Sequence, residues 1–119
     1  MLYEQELETL ARQLYAELTC QFASHAPAVE VAISGRGIEW HCAVRSRQRS
    51  CRIGCYVYKK GPRFYIDFAE AAGQVDRGWT ALSSDVQDAA EAWMAGMPYA
   101  DLDRKFPWLS TAPFKASFF

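Results

Sequence analysis

The sequence predicts a two-layer α+β domain, in which an N-terminal helix and C-terminal helices pack on one face of a four-stranded antiparallel meander. Three observations predict it: helical spacing of apolar residues over 3–22, alternation over 28–69, and a second helical stripe after residue 84. The 119 residues are 50% hydrophobic and 14% aromatic, which is enough to build one core. We therefore expect a single domain over residues 1–109, followed by an apolar tail at 110–119.

The N-terminal helix is predicted over residues 3–22. Its apolar side chains recur at spacings of three and four and therefore share one face: Leu7, Leu10, Leu14, Leu18 and Phe22. Three glutamates in the first turns suit the positive end of the helix dipole. Pro27 disfavours helical backbone at the residue before it, so the helix is expected to end before that proline.

Four strands are predicted from alternating apolar and polar residues between 28 and 69. Turn signals separate the strands at 35–37, at a polar loop over 46–49, and at 59–62. Because each connection is short, the strands form an antiparallel meander. The sheet face on which the apolar side chains lie is the core face, and we call the opposite side the outer face.

Register can be predicted from the same turns. The first loop places Val44 opposite Cys51, and the turn at 59–62 places Val57 opposite Phe64. Both registers keep every apolar side chain on the core face, whereas a slip of one residue would move a whole set to the outer face.

Cysteine chemistry is constrained by this alternation. An even number of cysteines suits disulfides in a secreted chain, but the N-terminus lacks the basic and apolar regions of a secretory signal. Zinc binding by His41 and the later cysteines would need a knuckle turn, whereas Cys51 and Cys55 lie in a strand-like segment. We expect Cys42, Cys51 and Cys55 to be buried, reduced thiols.

The second half of the chain returns to helix. Residues 70–82 contain two glycines and are predicted to form a connection, with room for a turn and a short extended piece. A helix over 85–95 follows, with Ser84 as its N-cap. Its apolar stripe consists of Val86, Ala89, Ala90, Trp93 and Met97.

The last part of the chain is predicted to contain a short helical turn over 100–106, which stops at Pro107. The tail at 110–119 shows no periodicity. We expect it to be ordered by docking on this chain or on a partner through three aromatic anchors: Phe114, Phe118 and Phe119.

Charge is unevenly distributed along the chain. Between Arg36 and Arg63 lie eight basic residues and one acid, a net charge of +7, whereas the remainder carries −8. Four arginines cluster at the tip of the predicted second hairpin, and four further side chains share the outer face with the last of these arginines. These eight residues form the candidate binding site: Arg45, Arg47, Arg49, Arg52, His41, Tyr56, Tyr58 and Tyr65.

Two interpretations of this site stay open. Guanidinium groups pair bidentately with carboxylates and phosphates, and aromatic residues beside arginines anchor proteins or stack bases. Alternatively, the arginines are solvated groups that prevent edge aggregation, and Tyr56 opposite Tyr65 is a cross-strand pair. On the first interpretation Arg45, Arg47 and Arg49 contact a partner and are dispensable for folding.

Catalytic constellations are not predicted. His25 lies in a loop, while His41 and Cys42 are neighbours on a strand and point to opposite faces. Asp67 with Glu39 is better interpreted as ordinary ion pairing with nearby arginines than as a carboxylate pair. We predict no catalytic residue, no metal site and no cofactor.

One segment resembles a known group of proteins. Residues 78–109 show a Gly-x-Thr turn, a helix carrying a tryptophan, and a Leu-x-x-x-Phe-Pro ending: Gly78, Thr80, Trp93, Leu102, Phe106 and Pro107. This pattern is similar to the C-terminal portion of small actinobacterial proteins of unknown function encoded near natural-product gene clusters. The resemblance covers about a quarter of the chain, carries no catalytic residues and implies a bacterial accessory role.

These observations together predict a non-catalytic bacterial protein that binds a partner with an acidic surface in an accessory, immunity-type or chaperone-type role. A homodimer through the tyrosine face or the tail is also expected. The alternatives are an oligonucleotide- or phosphate-binding module that uses the same arginines, and a small enzyme. No stretch of 18 uncharged apolar residues occurs, so we expect no membrane association and a cytoplasmic location.

Overall fold

Over residues 2–109, the computed structural model contains one sheet of five antiparallel strands, where four are predicted. The strands lie side by side in chain order: β1 (Glu30–Arg36), β2 (Glu39–Arg45), β3 (Arg49–Tyr58), β4 (Gly61–Glu70) and β5 (Gly73–Thr80). The helices are α1 (Leu2–Gln21), α2 (Ser83–Met94) and α3 (Tyr99–Lys105), with 3-10 turns at Ala23–His25 and Pro107–Leu109. The structure describes residues 2–109, so the predicted tail at 110–119 lies outside the described residues.

The additional strand β5 replaces most of the connection expected at 70–82. Gly73, with φ of +124°, opens this strand after a two-residue turn, so it marks a hairpin and not a linker. Gly78 lies inside the strand, where a Cβ atom would meet the Cα of Leu109 at 2.8 Å. This glycine therefore allows the last 3-10 turn to pack closely on the core face of β5.

The hairpin between β3 and β4 is tighter than the sequence predicts. Val57 lies opposite Pro62, two residues before the predicted partner, because only residues 59 and 60 form the turn. A shift of two residues leaves the apolar side chains on the predicted face. The predicted register of β2 against β3 is confirmed, with Val44 opposite Cys51.

The core lies between the sheet and the helices, as predicted. α1 packs on β1 to β3, and α2 packs mainly on β3 and β4. The helical stripes are buried, including Leu7, Ala11, Leu14, Leu18, Phe22, Val86, Ala89, Ala90 and Trp93, while Leu10 and Met97 are half-buried. No helix within residues 2–109 combines the length and apolar character needed to cross a membrane.

The start of α2 is stabilised differently from the prediction, which assigns Ser84 as N-cap. Leu82 occupies the cap position and makes no side-chain cap hydrogen bond. Instead, Thr80 Oγ1 accepts the Leu82 N–H at 3.2 Å and donates to Asp85 Oδ2 at 2.5 Å. The last residue of β5 therefore supports the helix turn that follows it.

Three of the four cysteines are buried, and Cys20 on α1 is exposed. Cys42, Cys51 and Cys55 lie on the core face, and the Cys42 S–H donates to the Ala11 carbonyl at 3.5 Å. Burial raises the pKa of each of the three thiols to about 12. The expectation of buried thiols is therefore confirmed.

We predict that a thiol reagent at pH 8 labels Cys20 rapidly in the native protein and labels the other three cysteines only after unfolding in urea. The reason is that the thiolate is the reactive form, and both burial and a pKa of about 12 suppress it. The Cys20→Ser variant is the control and should show no native labelling. Rapid labelling of that variant would contradict the core assignment.

Candidate functional site

The outer face carries an aromatic cluster, which we define as Tyr56, Tyr58, Tyr65 and Trp79. The Trp79 ring is central: its centroid lies 5.0 Å from that of Tyr65, 5.3 Å from Tyr56 and 6.5 Å from Tyr58. The rings of Tyr56 and Tyr58 lie 6.4 Å apart and are nearly parallel, at 13°. Such contacts hold large apolar rings in fixed positions.

Gly54 makes room for this cluster. A Cβ atom at this position would meet the Tyr56 ring and hydroxyl at 3.0–3.3 Å, so Tyr56 folds back over the backbone of its own strand. Tyr65 lies opposite Gly54, and Tyr56 lies opposite Arg63, so the predicted direct pair of Tyr56 with Tyr65 is wrong. The difference comes from the tight turn at residues 59–60.

A row of charged side chains crosses the outer face beside the cluster. Arg52 on β3 lies opposite Asp67 on β4, which lies opposite Arg77 on β5. Arg52 Nη2 lies 3.3 Å from Asp67 Oδ2, and Arg77 Nη1 donates to the Tyr65 hydroxyl at 3.3 Å. The Arg52 side chain is 59% exposed and that of Asp67 only 16%, so the cation is the part that meets solvent.

His41 lies on the outer face of β2, opposite Gly54. Burial lowers its pKa, and the positive charges of Arg52 and Arg45 lower it further, while Asp67 acts in the opposite direction. The imidazole is therefore mainly neutral at pH 7. His41 and Tyr65 lie opposite Gly54 on the two sides of β3, so the imidazole borders the aromatic cluster on its β2 side.

Fewer arginines are exposed at the tip of the hairpin between β2 and β3 than the sequence predicts. Arg45 lies on the outer face, 56% exposed, with Nη1 3.5 Å from Glu30 Oε1, and Arg47 is exposed in the loop between β2 and β3. Exposed pairs such as Arg45 with Glu30 contribute little to stability. These two arginines and Arg52 are therefore the available cations of the predicted site.

Arg49 lies on the core face against the end of α2, so the prediction that all four arginines form an exposed tip is wrong for this residue. Its Nη1 donates to the Trp93 carbonyl at 2.9 Å and to the Met97 carbonyl at 2.6 Å, and its guanidinium lies 3.8 Å from the Trp93 ring centroid. Its Nη2 lies 3.8 Å from Glu70 Oε2, and its side chain is 18% exposed. Since α2 has no basic residue in its last turn, Arg49 supplies the cation at that helix end.

The structure separates the catalytic combinations considered from the sequence. Cys42 is buried on the core face while His41 lies on the outer face. Glu39 lies four residues along β2 from the position opposite Arg52, which pairs with Asp67. His25 is exposed in the first 3-10 turn. Within residues 2–109 there is no cluster of three or more His, Cys, Asp and Glu side chains placed to hold a metal ion.

A groove of about 730 Å³ between α2 and α3 lies on the helical side of the molecule. Its rim carries three acids, Asp88, Glu91 and Asp101, and its apolar part includes Met97 and Phe106. Neither histidine nor cysteine lines the groove, and none of the eight predicted binding residues is among its lining residues.

Trp79 is the functional candidate that sequence reasoning missed. A signal was present, because Val75, Arg77 and Trp79 alternate with three other residues in a segment of β-forming composition. Gly78 interrupts that composition, and a glycine at this position predicts a loop instead of a strand. The close approach of Leu109 explains why a glycine lies inside this strand, and the sequence does not show that contact.

Comparisons with known proteins found no matching family model, no matching curated protein and no matching solved structure. The site is therefore interpreted from its own residues. Within residues 78–109, the Gly-x-Thr element predicted as a turn is the end of β5, and Trp93 is a core residue.

We predict that Arg49→Ala lowers the free energy of unfolding by about 2–4 kcal/mol, because two carbonyl hydrogen bonds and the contact with the Trp93 ring are lost. Arg49→Lys should recover only part of this loss, since an ammonium cannot reproduce the planar stacked geometry. Urea denaturation measures both. Arg47→Ala is the matched control, expected within about 0.5 kcal/mol of wild type; equal losses at the two positions would contradict the assignment.

Proposed function

We propose that this chain is a non-catalytic bacterial partner-binding protein, of the accessory, immunity or chaperone type, which docks an acidic protein surface on its outer face. The observation that carries the proposal is the aromatic cluster lying next to exposed arginines on the sheet face opposite α1 and α2. This combination of residues is typical of protein interfaces.

Aromatic side chains supply most of the affinity in such an interface. Tyrosine, tryptophan and arginine are the residues most enriched where single substitutions cost the most binding free energy. Tyr56 and Tyr65 are half-buried, and ring contacts with Trp79 restrict both of them. A partner therefore meets side chains that lose little conformational freedom on binding.

The arginines determine which partner surface fits. Arg45, Arg47 and Arg52 are exposed, and the carboxylates facing two of them, Glu30 and Asp67, offset only part of the positive charge. A carboxylate-rich surface complements this patch and is attracted to it at long range.

An oligonucleotide is the alternative ligand for the same arginines. Binding of single-stranded nucleic acid depends on rings whose faces are free to stack on successive bases. Here three tyrosine rings lie within 6.5 Å of Trp79 and pack against it, which favours a protein anchor. A small enzyme is the third hypothesis, and the one thiol–imidazole pair adjacent in sequence does not support it, because Cys42 is buried on the core face and His41 lies on the outer face.

The test uses the tagged protein as bait in a bacterial lysate, followed by affinity measurements on the purified partner. We expect the double variant Arg52→Ala/Tyr65→Ala to weaken binding by about tenfold or more, because both side chains lie in the proposed interface. Arg104→Ala, which removes an exposed arginine from α3, is the matched control and should bind like wild type. Melting temperatures establish that each variant is folded.

Nuclease treatment and a salt series separate the alternatives. A protein interface should survive nuclease, and added salt should reduce its association rate more than its affinity. Loss of the complex on nuclease treatment, with a steep fall in affinity as salt rises, would favour the nucleic-acid alternative. A partner bound equally by the double variant and by wild type would contradict the proposal.

A further inference from the structure

Strand β1 lies at one end of the sheet. It pairs with β2 along one side, and no strand among residues 2–109 pairs with its other side. β1 contains seven residues and no proline, and Val31 and Ile33 pack against the core from its inner face. A strand edge of this length without a proline is a template for another strand.

The backbone groups at this edge can be assigned from the adjacent turn. Gly37, with φ of +61°, and Ile38 form a two-residue turn between Arg36 and Glu39. A two-residue hairpin closes on a hydrogen-bonded pair, and hydrogen-bonded and non-hydrogen-bonded pairs then alternate along the ladder. Arg36 and every second residue before it therefore bond to β2, which leaves the N–H and C=O groups of Val31, Ile33 and Gly35 pointing to the open edge.

The sequence of β1 is complementary to itself in one antiparallel register. If Ile33 lies opposite Ile33 of a second copy, Val31 lies opposite Gly35 and all three outward-pointing residues exchange backbone hydrogen bonds. The same register places Glu30 opposite Arg36 of the second copy on the outer face, twice across the two-fold axis. Opposite charges in facing positions stabilise a strand pair.

The neighbouring strand extends this complementarity. Within one chain, Glu30 lies opposite Arg45 and Arg36 lies opposite Glu39. Across the junction the outer face would then carry the order Arg45, Glu30, Arg36 and Glu39, the last two from the second copy. The charges alternate at every strand, so no like charges face each other in this row.

We infer that two copies of this chain associate through β1, antiparallel and centred on Ile33, and so form one continuous ten-stranded sheet. The contact is isologous, as a closed dimer requires. It places the two-fold axis at the sheet edge formed by β1, whereas the aromatic cluster lies on β3 to β5. The inference is independent of the proposed function, because it uses none of the residues tested there.

Light scattering after size exclusion tests the inference directly. The wild-type protein should run as a dimer of twice the 13.5 kDa chain mass at micromolar concentrations. Glu30→Arg and Arg36→Glu should each raise the dimer dissociation constant by about tenfold or more, since each change creates two facing pairs of like charge.

Mixing the two variants supplies the decisive comparison. In the mixed dimer, Arg at position 30 of one chain faces Glu at position 36 of the other, and the native Arg36 and Glu30 face each other in the second pair. The mixture should therefore form a mixed dimer about as tight as the wild-type dimer, whereas each variant alone dimerises more weakly. Repulsion within one chain, such as that between the arginine at position 30 and Arg45, is the same in the single variant and in the mixture. It therefore does not explain why mixing would restore the dimer.

Two further measurements keep the inference testable if a variant is unstable. Lys60→Glu, a charge reversal in the distant turn between β3 and β4, should leave the dimer unchanged. In the wild-type protein, amide exchange of Val31, Ile33 and Gly35 should slow as concentration rises. A monomeric wild-type protein, a dimer insensitive to both reversals, or concentration-independent exchange at these amides would overturn the inference.

Discussion

The fold depends on the attachment of α2 to the sheet through Trp93. This side chain is fully buried, its indole N–H donates to the Ser50 carbonyl at 2.9 Å, and its ring packs on Phe68 at 5.3 Å. The Arg49 guanidinium stacks on the Trp93 ring and donates to the Trp93 carbonyl, in the last turn of the helix, and to the Met97 carbonyl just beyond it. Trp93 therefore connects α2, the core and the start of β3. The end of α2 in turn determines where α3 and the final 3-10 turn lie. Without Trp93, α2 would no longer be held on the core face of β3 and β4.

Strand alternation decides which charged residues are structural. Arg49 and Cys51 share the core face, whereas Arg52, one position later, lies on the outer face. A cluster that is contiguous in sequence is thus divided between the helix end and the binding surface. The net charge of a segment therefore overstates the charge available to a partner, because cations on the core face are already used by backbone carbonyls.

Most of the fold was predictable because its elements are strongly periodic. The stripe of α1, four strands, the β2–β3 register and the buried thiols all follow from apolar spacing. β5 was missed because glycine indicates both turns and close packing, and only the approach of Leu109 to Gly78 distinguishes them. For the candidate site, alternation predicts the outer-face tyrosines and Arg52. It does not show that Arg49 reaches a helix end that is distant in sequence.

Pairing through β1 would change what the outer face can recognise. The aromatic cluster lies on β3 to β5, so two clusters in a dimer are separated by at least the five strand spacings between β3 and β3 of the second copy. At about 4.8 Å per strand, that separation is about 24 Å or more. A partner with one acidic patch would then occupy a single cluster, whereas a symmetric partner with two patches at this spacing would gain avidity without any new contact. The sheet edge, remote from the binding residues, would in that case set the symmetry of the complex.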